Sequence, residues 1–341
     1  MVKTREKGDT LTRFVRELRV ANDSLRLWQI GVLRSVLCLS VMLGFVVVAS
    51  AEVYVGFRFE GMFGEIGGGE GQFLEPEGLA VDMSGNLFVV DTGNNRVQKL
   101  AADGTFLLEV GGSGWEDGQF DKPGGIATGK GLEVYVADSR NRRIQVFNLN
   151  LRLLSVIGGR DVDSPIDLGT LGGIAVSDVD EVLVTDIDAD QLVQIDTYSR
   201  IDRSFGGFGY GAGNLRRPLG VAIEGRKAVY VCDSENDRIA VFDRFGNFQK
   251  AIGEDVLMQP SAACLGPERT LIVADTGHHR IVVFDLNADE VVSHLGGPDP
   301  GKGPMAFQWP RGVALGRAGA LFVLDSGNGR IQKLQLRVSR R

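Results

Sequence analysis

Carboxylate and guanidinium side chains recur in this sequence at a fixed five-residue spacing. The pairs are Asp91 with Arg96, Asp138 with Arg143, Asp233 with Arg238, Asp275 with Arg280 and Asp325 with Arg330. A sixth aspartate, Asp186, keeps the pattern but has Gln191 where the others have arginine. Successive aspartates lie 47, 48, 47, 42 and 50 residues apart. An acid and a base held this close can form an ion pair, anchor a turn or serve acid–base chemistry. Six copies favour architecture, because an active site needs no sixfold duplication. The aspartate is expected to accept from the backbone N–H groups of the turn that follows it. The arginine is expected to pair with nearby carboxylate or carbonyl oxygens.

Other chemistry-bearing residues are few. Asp186, Asp188 and Asp190 form a D-x-D-x-D run near Asp161, Asp163, Asp167, Asp178, Asp180 and Glu181, which suggests calcium. Calcium takes six to eight oxygens, and an EF-hand loop needs a central glycine and a glutamate at position twelve. Gln191 and Thr197 stand at those places, so a diverged turn in an acidic face is the competing reading. The histidines are His278, His279 and His294. Two adjacent residues and a distant third are a poor basis for a zinc site, which needs convergent ligands. Beyond Cys38, the thiols are Cys232 and Cys264, read as small buried hydrophobes with no disulfide. Glycine runs such as 206–211 lack the Lys-Ser/Thr ending of a phosphate loop.

The elements around the aspartates repeat as well. Each unit opens with Pro-x-Gly and an apolar run, as in Pro76-Glu77-Gly78-Leu79-Ala80-Val81 and Pro310-Arg311-Gly312-Val313-Ala314. A second strand ends at the aspartate, a four-residue turn leads to a third, and an Asp/Gly turn leads to a fourth. A glycine-rich loop then opens the next unit. Four short strands per 40–50 residues is the signature of a propeller blade. A sheet apolar on both faces must be covered on both, which radial stacking achieves. The sequence therefore predicts an all-β, six-bladed β-propeller over residues 52–341. Ala80, Ala127, Ala175, Ala222, Cys264 and Ala314 are expected to be small because the blades converge near the axis. The last unit lacks a fourth strand, and residues 53–59, running on to Ile66-Gly67, are expected to supply it and so remove an open edge.

These motifs resemble the NHL-repeat family: Pro-x-Gly-φ-Ala-Val, φ-Val-x-Asp-Thr/Ser-Gly-Asn-x-Arg and the glycine-rich loop between units. The resemblance implies the fold and leaves the activity open. The family includes RNA-binding propellers, protein-interaction domains, an amidating lyase with a histidine-held zinc, and exported bacterial proteins.

The N-terminus reads as an address. Arg34, the apolar run 35–48 and Ala49-Ser50-Ala51 have the order of a secretory signal peptide. The expected domains are a signal peptide over 1–51, or alternatively a membrane anchor, and the propeller over 52–341. The protein is expected to be periplasmic or extracellular. The whole chain carries a net charge of −7, and the propeller portion is more acidic than that because 1–51 is basic. An acidic body repels phosphate backbones, so nucleic acid is not the expected partner.

Residues between the proline and glycine of each unit are expected at one mouth of the central channel. Glu77 and Arg311 belong to neighbouring units there and, with Trp309, are the candidate binding residues; a simple salt bridge is the competing reading. No nucleophile with its base is found. The expected function is a monomeric, non-catalytic binding or scaffold module for a protein, a glycan or a small ligand, with no cofactor unless calcium binds. The alternative is a metal-dependent hydrolase or lyase with its site at the channel.

Overall fold

A computed structural model of the chain describes residues 53–130, 132–159, 166–209 and 211–340. The segment 1–51 lies outside the described residues, as do Asp161 and Asp163. Six four-stranded antiparallel sheets follow one another along the chain. Blades one to five cover 78–111, 126–158, 171–206, 218–252 and 260–296, each in simple up-and-down order. Blade six takes its three inner strands from Pro310–Leu315, Ala320–Asp325 and Arg330–Arg340. Its outermost strand is Val53–Phe63, paired antiparallel with Arg330–Arg340 from Val53–Arg340 to Phe63–Ile331. That strand ends at Phe63. Ile66 makes an isolated bridge to Phe73 instead of continuing the ladder.

The middle strands are buried on both faces, as in Leu87–Asp91 and Thr270–Asp275, which is why they read as unbroken apolar runs. The outer strands alternate instead, as in Phe106–Gly111, because one face looks to solvent. Each core cluster lies between two blades. Phe88 and Val90 of blade one pack with Ile126, Val134 and Val136 of blade two. Tyr230 and Cys232 of blade four pack with Leu271 and Val273 of blade five. Cys232 and Cys264 are free thiols. Burial pushes the Cys264 thiol up to about 12 and that of Cys232 higher still, so neither is a thiolate at neutral pH.

The crowding near the axis falls on a different residue from the one the sequence suggested. Ala80 and Ala222 sit between blades, in the clusters just described. The closest approach is made by the glycine of Pro-x-Gly, two positions earlier. A Cβ on Gly125 would lie 2.6 Å from the Gly172 carbonyl, and one on Gly173 2.5 Å from the Leu219 carbonyl. A Cβ on Gly220 would lie 2.7 Å from the Cα of Ala262. At these three glycines the inner strands meet backbone to backbone and leave no room for a Cβ, whereas blade five carries Ala262 at the same position.

The 11-residue strands of blade six form a ribbon longer than the fourth strands of other blades. Val55, Phe57 and Phe59 pack with Val292 and Leu295 of blade five. Arg340 donates to Asp285, also of blade five, at 2.9 Å. Burial works to raise the Asp285 carboxyl, but the Asn287 amide and the Arg340 guanidinium outweigh it and hold it below the ordinary carboxylate value.

Gly173→Ala is expected to destabilise the protein by about 1–3 kcal/mol, the usual range for overpacking. Gly56→Ala on the ribbon, where a Cβ meets nothing within 4 Å, is expected to stay within about 0.5 kcal/mol. Urea denaturation of the two variants measures the contrast; equal effects would remove the axial-contact argument.

Candidate functional site

The repeated Asp–Arg pairs shape the face on which the channel opens. In blade one, Asp91 Oδ2 accepts from Arg96 Nε at 2.7 Å and from the Asn94 side chain at 2.9 Å. Its Oδ1 accepts from the backbone N–H of Leu74, 17 residues upstream, at 2.7 Å. Arg96 Nη2 donates to the carbonyls of Gly69 and Gln72. The pair therefore clamps the glycine-rich loop that delivers the chain to the first strand. The same bonds recur at Asp138–Arg143 with Asp121, at Asp233–Arg238 with Arg216, at Asp275–Arg280 with Met258 and at Asp325–Arg330 with Gln308. The expectation that the aspartate caps the following turn is thus corrected for these five blades: none of their turns has a side-chain cap. The offset to the accepted amide is 17 residues each time, a long-range contact that local turn chemistry does not reveal. Burial pushes the Asp138 carboxyl up, against the Asp121 amide, Arg143 and Asn141.

Blade three departs. Asp186 accepts from Gly169 N, again 17 residues upstream, and also from the amides of Asp188 and Ala189 in the following turn. Asp188 accepts from Thr170 N, and Asp190 from Arg217 N at 2.7 Å. The three carboxylates of the D-x-D-x-D run thus engage backbone amides of separate stretches. Among the described residues no group of three or more His, Cys, Asp or Glu side chains gathers in a way that could hold a metal ion. His278 bonds to Asp275 at 3.0 Å and His279 lies beside Trp309, whereas His294 is on the outer strand Glu290–Gly296.

In four blades a second device reaches the next blade. The last residue of the turn after the aspartate is left-handed, and its side chain accepts the backbone N–H of the residue before the next blade's proline. Asn95 holds Lys122 N, Asp190 holds Arg217 N, Asp237 holds Gln259 N and His279 holds Trp309 N. In blade two Arg142 stands at this place and donates to the Leu168 carbonyl instead. In blade six this position is Gly329, with φ 60° and no side chain to reach blade one.

The consequence is a cleft at the seam between blades six and one. Its volume is about 430 Å³, and its walls are Ile66, Leu74, Glu75, Glu77, Trp309, Arg311, Ser326 and Gly327. Glycine lets the walls pack closely against the turn: a Cβ on Gly329 would lie 2.6 Å from the Ile66 side chain, and one on Gly327 2.9 Å from the Trp309 ring. Ile66 and Trp309 are 62% and 51% exposed, enough to offer an apolar surface to a ligand. Arg311 Nη1 donates to Glu77 Oε1 at 3.3 Å, and the pair stands between the cleft and the channel mouth, which Glu77 and Arg311 also line. The structure thus brings Glu77, Trp309 and Arg311 together. Sequence reasoning missed Ile66 and Leu74, although both belong to a loop following an orphan strand that pairs with the last unit. The channel itself is narrow. The cavities along it are about 90 and 100 Å³, room for about three waters each.

Comparison with known proteins agrees with this architecture. The NHL repeat family model matches residues 73–100, 120–147, 257–284 and 307–334. Each matched stretch starts one residue before the amide held by the aspartate. Protein brain tumor of Drosophila melanogaster is 29% identical over 124 residues, 36% of this chain and 12% of that one. The E3 ubiquitin-protein ligase TRIM71 of Mus musculus is 44% identical over 62 residues, 18% of this chain and 7% of that one. This chain therefore matches only a small part of the length of either relative. Among solved structures, the virginiamycin B lyase of Staphylococcus aureus has a TM-score of 0.56 at 14% identity, over 83% of this chain and 99% of that one. A gluconolactonase from Xanthomonas campestris has a TM-score of 0.60 at 15% identity, over 79% and 88%. At such identities the likeness is one of fold.

Arg143→Ala is expected to destabilise the protein by about 3–5 kcal/mol, because it leaves the buried Asp138 carboxylate without its cation. Denaturant titration checks this; a change under about 1 kcal/mol would show that the clamp contributes little.

Proposed function

The chain belongs to the NHL-repeat family of six-bladed β-propellers, and on that premise we propose that it is a non-catalytic binding module. The observation that carries the reading is the seam cleft. It combines exposed Ile66, Leu74 and Trp309 with one ion pair, Glu77–Arg311, at a volume within the usual range of about 300–1,000 Å³ for ligand sites. Among the described residues that line the mouth, Glu77 is the one acid, beside Arg311, Arg217 and Ser261. The face also bears Glu65, Glu70, Glu116, Asp117, Glu254 and Asp255 on its loops, which favours protein or other non-phosphate ligands over nucleic acid. We place the module outside the cytoplasm, on the strength of the apolar run 35–48 and the Ala49-Ser50-Ala51 site; N-terminal sequencing of protein from the medium or periplasm tests cleavage after Ala51.

The fold likeness to a lyase and a gluconolactonase supports a second reading, a metal-dependent enzyme working at the channel. It requires ligands that converge when metal is supplied. Millimolar calcium or zinc is expected to leave Tm unchanged on the binding reading; a rise of several degrees would favour the metal reading.

The binding reading is tested by screening capped peptides and oligosaccharides by NMR or calorimetry against the wild type and Trp309→Ala. Trp309→Ala is expected to weaken binding by about tenfold or more, the usual effect of removing a central aromatic anchor, with Tm nearly unchanged. Ligands that bind both proteins equally would move the site away from the seam.

A further inference from the structure

Resting on the binding reading, the geometry points to a cationic side chain of a peptide partner as the occupant of the seam cleft, which accordingly acts as a docking site for a basic peptide segment. Charge complementarity carries the assignment. One wall is the loop 64–77 of blade one, which holds Glu65, Glu70, Glu75 and Glu77 and no lysine or arginine. The cation within the cleft, Arg311, is already matched by Glu77 at 3.3 Å. Glu75 keeps 72% of its side chain exposed and pairs with Lys122 of blade two at 3.5 Å. It is therefore free to turn toward a ligand charge at small energetic loss.

The apolar part of the cleft fits the same occupant. A long cationic side chain has an aliphatic stem and a charged head. Ile66 and Leu74 would take the stem and the residues beside it. The half-exposed indole of Trp309 attracts a cation through its ring quadrupole, most strongly for guanidinium. A saccharide would use Trp309 but would leave Ile66 and Leu74 against hydroxyls, and a phosphate would meet Glu75 and Glu77 with Arg311 already engaged by Glu77. A basic peptide satisfies both halves of the lining.

Trp309 can report on its own site. In the full chain carrying Trp28→Phe and Trp115→Phe, Trp309 is the remaining tryptophan. The probes are three capped pentapeptides with alanine at both ends, leucine at positions two and four, and arginine, glutamine or glutamate at the centre. The arginine peptide is expected to shift Trp309 emission saturably and to bind about tenfold tighter than the glutamine peptide, with the glutamate peptide weakest. Raising salt from 0.15 to 0.5 M is expected to weaken the arginine peptide severalfold. Glu75→Gln should erase most of the preference for arginine while leaving Tm in place, and Glu75→Lys should reverse it. Equal binding of the arginine and glutamine peptides, or a preference that survives Glu75→Gln, overturns the cationic assignment while leaving the cleft a binding site. No response of Trp309 to any of the peptides, with a saccharide shifting its emission instead, overturns the peptide partner and keeps the module. Silence of Trp309 toward peptides and saccharides alike overturns both.

Discussion

The structure depends on one buried interaction, the Asp–Arg clamp that in five of the six blades ties the inter-blade loop to its own blade. The carboxylates of Asp91, Asp138, Asp233, Asp275 and Asp325 have no exposed side-chain surface. A buried carboxylate is tolerable only when its cation and its hydrogen-bond donors are all in place, and here they are supplied by three parts of the unit at once. The arginine begins the third strand, the Asn or His side chain comes from the turn, and the amide comes from the loop. Satisfying the charge therefore fixes where the loop ends. Immediately beyond that point the chain enters Pro-x-Gly and reaches the axis, so the clamp sets the register of the inner strands and the residues that ring the channel mouth.

That arrangement makes the scaffold tolerant where it can vary. The distance from the held amide to the aspartate is always 17 residues, whereas the distance between aspartates varies from 42 to 50. Variation is absorbed in the fourth strand and the early part of the loop, outside the stretches that match the family model. Gln98, Gln145 and Gln332 reinforce the clamp in blades one, two and six by donating to the same aspartate and to a loop carbonyl. Blades three, four and five have Val193, Ala240 and Val282 at that position. The half of the ring flanking the seam between blades six and one is thus the more firmly bonded, as a preorganised ligand site requires.

Much of this was legible in the sequence because repetition is itself a structural statement. The Asp–Arg spacing gave the number of blades, and the register of Pro-x-Gly put Glu77 and Arg311 side by side although they are 234 residues apart. Two local inferences failed for the same reason. The acceptor role of the aspartate was sought in the next few residues, yet its partner is a loop amide 17 residues back. The small residue at the axis was taken to be alanine, yet Ala80 packs among side chains between blades, and Gly78, two positions earlier on the same face of the strand, makes the backbone contact. Both depend on which strand lies against which, and strand packing between blades is not written in any single unit. What the sequence did carry is a constant 15 residues from proline to aspartate in five copies, a sign that the end of the loop and the aspartate are in fixed register.

The cleft shows how a repeat protein acquires a site without breaking its repeat. Five seams carry a side-chain staple from the left-handed residue of one turn to the next blade: Asn95, Asp190, Asp237 and His279 accept an amide, and Arg142 donates to the Leu168 carbonyl. At blade six the residue is Gly329, and Gly327 stands two positions before it. Loss of the side chain at Gly329 costs the fold little there, because Ser326 still donates to the Pro76 carbonyl across the seam at 2.6 Å and the clamp at Asp325 is complete. What Gly329 permits is the close approach of Ile66, which with Trp309 on the other side forms the edges of the cleft. The same turn that elsewhere seals adjacent blades has become an opening between them, lined by residues whose positions the clamps of blades one and six already hold.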